Sequence, residues 1–342
     1  MGLKKCVPML LILLAALTGC GRTQIPEQMP VPEAAAETQQ QTVALEDIYV
    51  DAVPMQIAED SQEEVILEEA PEPAIPDILE PVASGEKIDE TETVLIDYSH
   101  TEDGYIMVLY KGETSKKLKT QIRGLTTTYT YSLYPGQWAV YPLTDGNCYY
   151  QVKIFQNISG NQYSLIMGTS MEVTLADEFA PFLRPNQYVD YASSSKAVEK
   201  AWELTKDVEG TLEKVKTVYD FVVSELHYDE EKARTVRSGY VPELDRVLEE
   251  KKGICFDYAS LMTGMLRSQG IPCKMVFGYA GSAYHAWISV WTEESGWVDG
   301  VIFFDGIAWQ RLDPTFASSS ERSESVMKFI GNGKNYREKY FY

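Results

Sequence analysis

The run Glu249-Glu250-Lys251-Lys252-Gly253-Ile254-Cys255-Phe256-Asp257-Tyr258-Ala259-Ser260-Leu261-Met262-Thr263-Gly264-Met265-Leu266 passes from charge to apolar character within a few residues. The charged half is turn-like, and Gly253 permits a tight turn before the cysteine. The apolar half reads as a helix that stops at Gly270. On that helix Cys255, Ala259, Met262 and Leu266 share one face, while Leu261 and Met265 are apolar as well, so the helix is expected to be buried. Cys255 falls at its N-terminus. Unpaired backbone N–H groups and the helix dipole favour a thiolate there, the form of cysteine that acts as a nucleophile.

A cysteine nucleophile needs a base, and the base needs a group that orients its ring. Two later segments offer both. Tyr284-His285-Ala286-Trp287-Ile288-Ser289-Val290-Trp291 alternates as a strand, with His285 near its start. Trp309-Gln310-Arg311-Leu312-Asp313-Pro314-Thr315 reads as a strand end, with Asp313 halted by proline. The three residues follow one another at intervals of roughly thirty residues, a spacing that suits a helix followed by neighbouring strands. In the histidine strand, His285, Trp287, Ser289 and Trp291 share one parity. Ala286, Ile288 and Val290 have the other, and that set reads as core.

Gly-Ile-Cys-Phe-Asp-Tyr-Ala, then Tyr-His-Ala-Trp, then Leu-Asp-Pro-Thr, with Gly270-Ile271-Pro272 and Gly278-Tyr279 between them, resembles the core of the bacterial transglutaminase-like superfamily. The resemblance covers about residues 180–320. It implies a papain-like α+β fold, a nucleophile helix packed on an antiparallel sheet, and a catalytic triad of Cys255, His285 and Asp313. Relatives of this kind include protein crosslinkers, peptidases and amidases. The expected substrate is therefore a protein or peptide amide, glutamine among them, attacked through a thioester. A peptidase or amidase using the same triad and a non-catalytic binding module are the alternatives. Tyr258, Tyr284 and Trp287 are candidate substrate contacts, and Trp291 is a second candidate for the groove. The oxyanion needs two donors. The Cys255 N–H is one; the resemblance to animal transglutaminases implies a tryptophan before the cysteine as the other, but no tryptophan lies between Trp202 and Cys255, so the second donor is unassigned, with Tyr240 and Tyr258 as candidates.

The 342 residues divide by composition into four parts. Residues 1–20 carry Lys4 and Lys5, an apolar run from Val7 to Leu17, and Leu17-Thr18-Gly19-Cys20. This is a signal-peptide pattern ending in a lipobox-like motif. It predicts lipidation of Cys20 and an extracytoplasmic protein held to a bacterial membrane by its N-terminal lipid. Residues 21–91 are expected to be a disordered tether. From 21 to 90 there are 18 acidic residues against Arg22 and Lys87, eight of the 16 prolines and one aromatic, Tyr49. Such a segment lacks the apolar surface needed to offset the entropy of ordering. Most of the net charge of −21 sits there, which argues against nucleic acid as a partner.

Residues 92–178 change to a period of two, with Asp103-Gly104, Pro135-Gly136, Asp145-Gly146-Asn147 and Ser159-Gly160-Asn161 as turns. Short strands at this spacing predict a small, immunoglobulin-like β-sandwich. Tyr163–Met167 and Met171–Leu175 read as two separate strands. Its ten tyrosines suit half-buried strand positions. Residues 179–342 form the expected catalytic domain, opening with Ser195 and Glu199 as a candidate capping box. Cys148 and Cys273 read as small core residues. His100, His227 and His285 are not clustered, no Cys-x-x-Cys occurs, and there is no calcium-loop motif. No metal or other cofactor is expected.

Overall fold

The computed structural model describes residues 75–293, 296–299, 302–304, 309–311 and 336–342. Among the described residues, eight strands come first: β1 (Ile88–Glu90), β2 (Val94–Asp97), β3 (Tyr105–Tyr110), β4 (Leu118–Arg123), β5 (Thr128–Leu133), β6 (Trp138–Pro142), β7 (Cys148–Ser159) and β8 (Gln162–Val173). They form two antiparallel four-stranded sheets, ordered β1-β2-β3-β6 and β5-β4-β7-β8. The alternation expected of half-buried strands is visible in β4 and β5. Leu118, Thr120 and Ile122 are buried on β4, as are Tyr129, Tyr131 and Leu133 on β5. These residues share a core with Val94, Ile96, Ile106 and Val108 of the other sheet wherever their side chains are apolar.

Two expectations for this region are corrected. Gly168-Thr169-Ser170 does not break the last strand, because Gly168 pairs with Lys153 and Thr169 with Val152 inside a continuous β8. Strand pairing also starts before residue 92. Ile88, Asp89 and Glu90 pair with Asp97, Ile96 and Leu95, and the Asp89 carboxylate accepts a hydrogen bond from the Thr169 hydroxyl. Further back, Val82 N–H donates to Tyr105 Oη at 3.0 Å and Gly85 N–H to Asp97 Oδ2 at 2.7 Å. Short polar contacts hold this stretch where composition suggested a tether.

The second half opens with α1 (Lys196–Thr205), α2 (Thr211–Glu225), β9 (His227–Tyr228), α3 (Glu230–Thr235), α4 (Leu244–Glu250), β10 (Lys252–Gly253) and α5 (Cys255–Arg267). It continues with β11 (Cys273–Ala280), β12 (Ala283–Thr292), β13 (Gly296–Asp299), β14 (Ile302–Phe304), β15 (Trp309–Arg311) and β16 (Tyr336–Phe341). An antiparallel sheet ordered β13-β12-β11-β16 carries α5 against β11 and β12. β14 and β15 pair antiparallel with each other, and β9 pairs in parallel with β10.

The helix α1 starts at Lys196 with Ser195 as its N-cap, so Glu199 lies one position beyond the capping-box site. The Ser195 hydroxyl instead accepts from Ala192 N–H at 3.0 Å, and no capping box forms there. In α5 every residue from Asp257 to Arg267 is buried, as its uniformly apolar pattern requires.

The tyrosines of β5 do not form an exposed binding face. Tyr129 and Tyr131 are each 1% exposed and pack edge-on against Tyr342, with ring centroids 5.6 and 5.7 Å away. Tyr131 also packs on Tyr188. This aromatic cluster joins the first sheets to the C-terminal strand. The buried guanidinium of Arg267, at the end of α5, donates to the carbonyls of Cys273, Arg184 and Tyr342 at 2.9, 2.7 and 2.6 Å. Three charge-assisted bonds compensate the removal of that cation from water.

Candidate active site

Cys255 is the first residue of α5 and is partly exposed. The turn that delivers it differs from the expected one. The left-handed residue is Lys251, with φ of 50°, and Gly253 is not in a left-handed conformation. Gly253 is required for space, since a Cβ there would lie 2.5 Å from Asp257 Cβ.

Asp257 is the feature that the sequence reading passed over. Its side chain is fully buried, and its Oδ2 accepts from Ile254 N–H at 2.7 Å, so a carboxylate satisfies one of the orphan donors at the start of α5. Lys232 Nζ lies 2.8 Å from the same oxygen. The Tyr240 hydroxyl donates to Oδ1 and accepts from Lys232 Nζ at 2.6 Å. Burial, followed by the Asp257 hydrogen bond and charge, raises the Tyr240 phenol well above its ordinary value. Its single proton is committed to Asp257, so Tyr240 is not the second oxyanion donor. A signal for this cluster was present: Asp257 stands three residues into the helix from Ile254, where acidic side chains meet the terminal N–H groups.

Around these sits a second clasp. Asp229 Oδ1 accepts from Lys232 N–H at 2.8 Å, and its carboxylate lies 3.1 Å from Lys252 Nζ. Asp229 N–H donates to the Gly253 carbonyl at 2.8 Å. These contacts hold the segment from Asp229 to Tyr240 against the turn that carries the cysteine.

Phe256, next to the cysteine, packs edge-to-face on Phe277 of β11 at 4.9 Å, and Phe277 stacks on Tyr284 of β12 at 5.8 Å. Tyr284 is 53% exposed. Burial, with smaller contributions from neighbouring tyrosines and Cys255, raises its phenol to about 12. Tyr284 is thus joined through Phe277 to the residue after Cys255, and it is open to solvent. Tyr258 and Trp287 are corrected as substrate contacts. They are 0% and 1% exposed, and buried rings offer no surface to a ligand. Trp287 lies over Gly278, where a Cβ would come 2.6 Å from Trp287 Cη2, and against Tyr336. Tyr258, equally buried, is corrected as an oxyanion donor for the same reason.

The expected parity of β12 is present. Ala286, Ile288 and Val290 belong to the core shared with Leu261, Met262 and Met265 of α5. His285 is 7% exposed and stacks beside Trp287, with ring centroids 6.2 Å apart. Adjacent strand residues point to opposite faces. By that alternation Tyr284 lies on the α5 face of β12, and His285 on the reverse face with Trp287. Asp313 and Cys20 lie outside the described residues. Among the described residues no group of three or more His, Cys, Asp or Glu side chains is arranged to hold a metal ion.

Of the other cysteines, Cys273 is buried, and burial pushes its thiol up to about 12. Cys148 lies on β7. Both are free thiols, in keeping with roles as small strand residues.

Comparison with known proteins bears on this site. The sequence profile of the transglutaminase-like superfamily matches residues 199–300, a span that includes Cys255, Asp257 and His285. Over 117 residues the chain is 32% identical to the uncharacterized protein YebA of Bacillus subtilis, and over 98 residues it is 30% identical to a protein-glutamine gamma-glutamyltransferase of Pseudomonas aeruginosa. These matches take in 29% and 25% of this chain, and 16% and 13% of those proteins. Among solved structures, the periplasmic domain of TgpA from Pseudomonas aeruginosa aligns at a TM-score of 0.29 and 16% identity, covering 68% of this chain and 99% of that one. Red sea bream transglutaminase aligns at 0.27 and 13%, covering 66% and 53%. Residues 199–300 of this chain thus match the transglutaminase-like superfamily.

Proposed function

We propose that the protein is a thiol acyl-transferase of the transglutaminase type, acting on glutamine or other amide groups of proteins or peptides. One observation carries the reading: Cys255 is the partly exposed first residue of a helix that is otherwise buried from Asp257 onward. In the reaction, the Cys255 sulfur attacks the amide carbonyl and the amine leaves with a proton from His285. A thioester remains, and an acceptor amine or water resolves it. The Cys255 N–H faces the developing oxyanion. Asp313 orients the histidine ring. Leu17-Thr18-Gly19-Cys20 supports the accompanying proposal that a lipid on Cys20 anchors the protein outside the cytoplasm. No helix among the described residues is long and apolar enough to cross a membrane.

For proton transfer, the His285 ring must come to about 3 Å from its partner, and such bonds often tighten only when substrate is bound. The placement of His285 on the face of β12 away from α5 favours a second reading, a non-catalytic module that keeps the fold for binding.

One experiment separates the two. The full chain is incubated with a glutamine-containing peptide and a labelled primary amine, and products are read by mass spectrometry. Amine incorporation that disappears in Cys255→Ala and falls at least ~10²-fold in His285→Ala supports acyl transfer. Ammonia release alone or backbone cleavage, with the same dependence, assigns the site to an amidase or a peptidase. No product in any form leaves the binding module as the function.

A further inference from the structure

The strand β6 is the edge of its sheet. Val140 accepts from Gln187 N–H at 3.2 Å through its carbonyl, so that carbonyl points away from β3. By the alternation of an antiparallel ladder, the Trp138 N–H and carbonyl and the Val140 N–H point the same way. The absence of an N–H on Pro142, two residues on, agrees with this register. Among the described residues these three backbone groups have no hydrogen-bond partner.

They do not face open water alone. A cavity of about 440 Å³ runs along them, walled on the other side by residues around Asn186 and by Gly239 and Val241. Two aromatic rings stand at it exposed, Trp138 at 40% and Tyr134 at 48%. Asn186 is 4% exposed. Its Oδ1 accepts from the N–H groups of Tyr188 and Val189 at 2.9 and 3.2 Å, while its Nδ2 is buried without a partner. The charged side chains lining the cavity are Glu80 and Asp190, and no lysine or arginine lines it.

We propose that this groove binds an extended peptide segment carrying a basic side chain, added to β6 as a further strand. The free N–H and carbonyl groups recognise a backbone of the same spacing, which is how sheet edges capture peptides. Trp138 and Tyr134 flank it with apolar contact. Glu80 and Asp190 meet the cation and disfavour an acidic sequence. The groove is tied to the nucleophile turn through a single residue. Tyr240 stands between its lining residues Gly239 and Val241, and its hydroxyl holds Asp257. The inference is independent of the reaction proposed above, because it concerns binding and requires no turnover.

The test uses the full chain carrying Cys255→Ala, so that no chemistry intervenes. A fluorescein-labelled peptide alternating threonine and valine around one central lysine is titrated by anisotropy. Saturable binding is expected, with the glutamate analogue weaker by roughly tenfold or more. Methylating alternate backbone nitrogens of the lysine peptide should abolish binding. Glu80→Gln with Asp190→Asn should bring the lysine and glutamate peptides to within about twofold of each other. Trp138→Ala should weaken the lysine peptide roughly tenfold, with unchanged circular dichroism. The proposal is overturned if the lysine peptide does not saturate, if the N-methylated peptide binds equally, or if the two charges bind alike in the parent. Displacement by a β-1,4-linked N-acetylglucosamine tetramer would assign the groove to glycan instead.

Discussion

Lys232 Nζ stands 2.8 Å from Oδ2 of Asp257, a carboxylate with no solvent exposure two residues after the cysteine. The pair spans 25 positions of sequence and fixes the start of the nucleophile helix through Ile254 N–H. Lys232→Met should destabilise the protein by about 3 kcal/mol or more, because it leaves a buried charge without its partner. Urea denaturation measures this, and Lys232→Arg should recover part of the loss. A variant as stable as the parent would remove Lys232 from the account of the site.

Gly253→Ala tests whether the glycine before the cysteine is there for space. The added Cβ meets Asp257 Cβ at 2.5 Å, so Asp257 must shift and its bonds to Ile254 and Lys232 lengthen. A loss of about 1–3 kcal/mol is expected from overpacking. Iodoacetamide labelling of Cys255 should change rate in the same variant. Were the glycine serving only chain flexibility, both measurements would stay at the parent's values.

The N-terminal boundary can be read from truncations. A chain starting at residue 75 keeps β1 and the contacts of Val82, Gly85 and Lys87. One starting at residue 92 loses them and exposes the edge of β2. The shorter chain should be less stable by about 3 kcal/mol, at roughly 1 kcal/mol for each of these half-buried hydrogen bonds. Equal melting temperatures for the two chains would return residues 75–91 to the tether.

Alkaline stability depends on groups whose protons burial holds, Cys273 and the half-buried Tyr188 among them. Burial raises the Cys273 thiol from 9.0 to about 12, and the Tyr188 phenol from 10.0 to about 12. Above their ordinary values the unfolded chain releases these protons and the folded chain holds them. Their contribution is complete below pH 9 and is lost as pH rises toward about 12. Melting temperature should fall steadily over that window. Cys273→Ala should melt lower than the parent at neutral pH, through a small cavity, yet lose less on going from pH 9 to 10. A parallel decline in both proteins would rule out the thiol as a contributor.

The sequence by itself determined what depends on neighbouring residues. Alternation marked the strands of both halves, and continuous apolar character marked α5 and put Cys255 at its start. The parity of β12 was legible for the same reason: successive strand side chains point to opposite faces whatever the surroundings. Composition also separated the acidic stretch from the rest.

Tertiary structure decided what depends on residues far apart in the chain. Asp257 looks like an ordinary helix residue until Lys232 and Tyr240 arrive from another segment. Arg267 finds the Tyr342 carbonyl 75 positions away, and Tyr129 and Tyr131 are core only because Tyr342 closes over them. Gly253 was read as a turn residue, but what requires glycine there is the neighbouring Asp257 side chain. Periodicity showed that His285 and Ala286 face opposite ways. Only the packing of α5 on β11 and β12 decided which face meets Cys255, because side-chain alternation carries no record of which side a helix will cover.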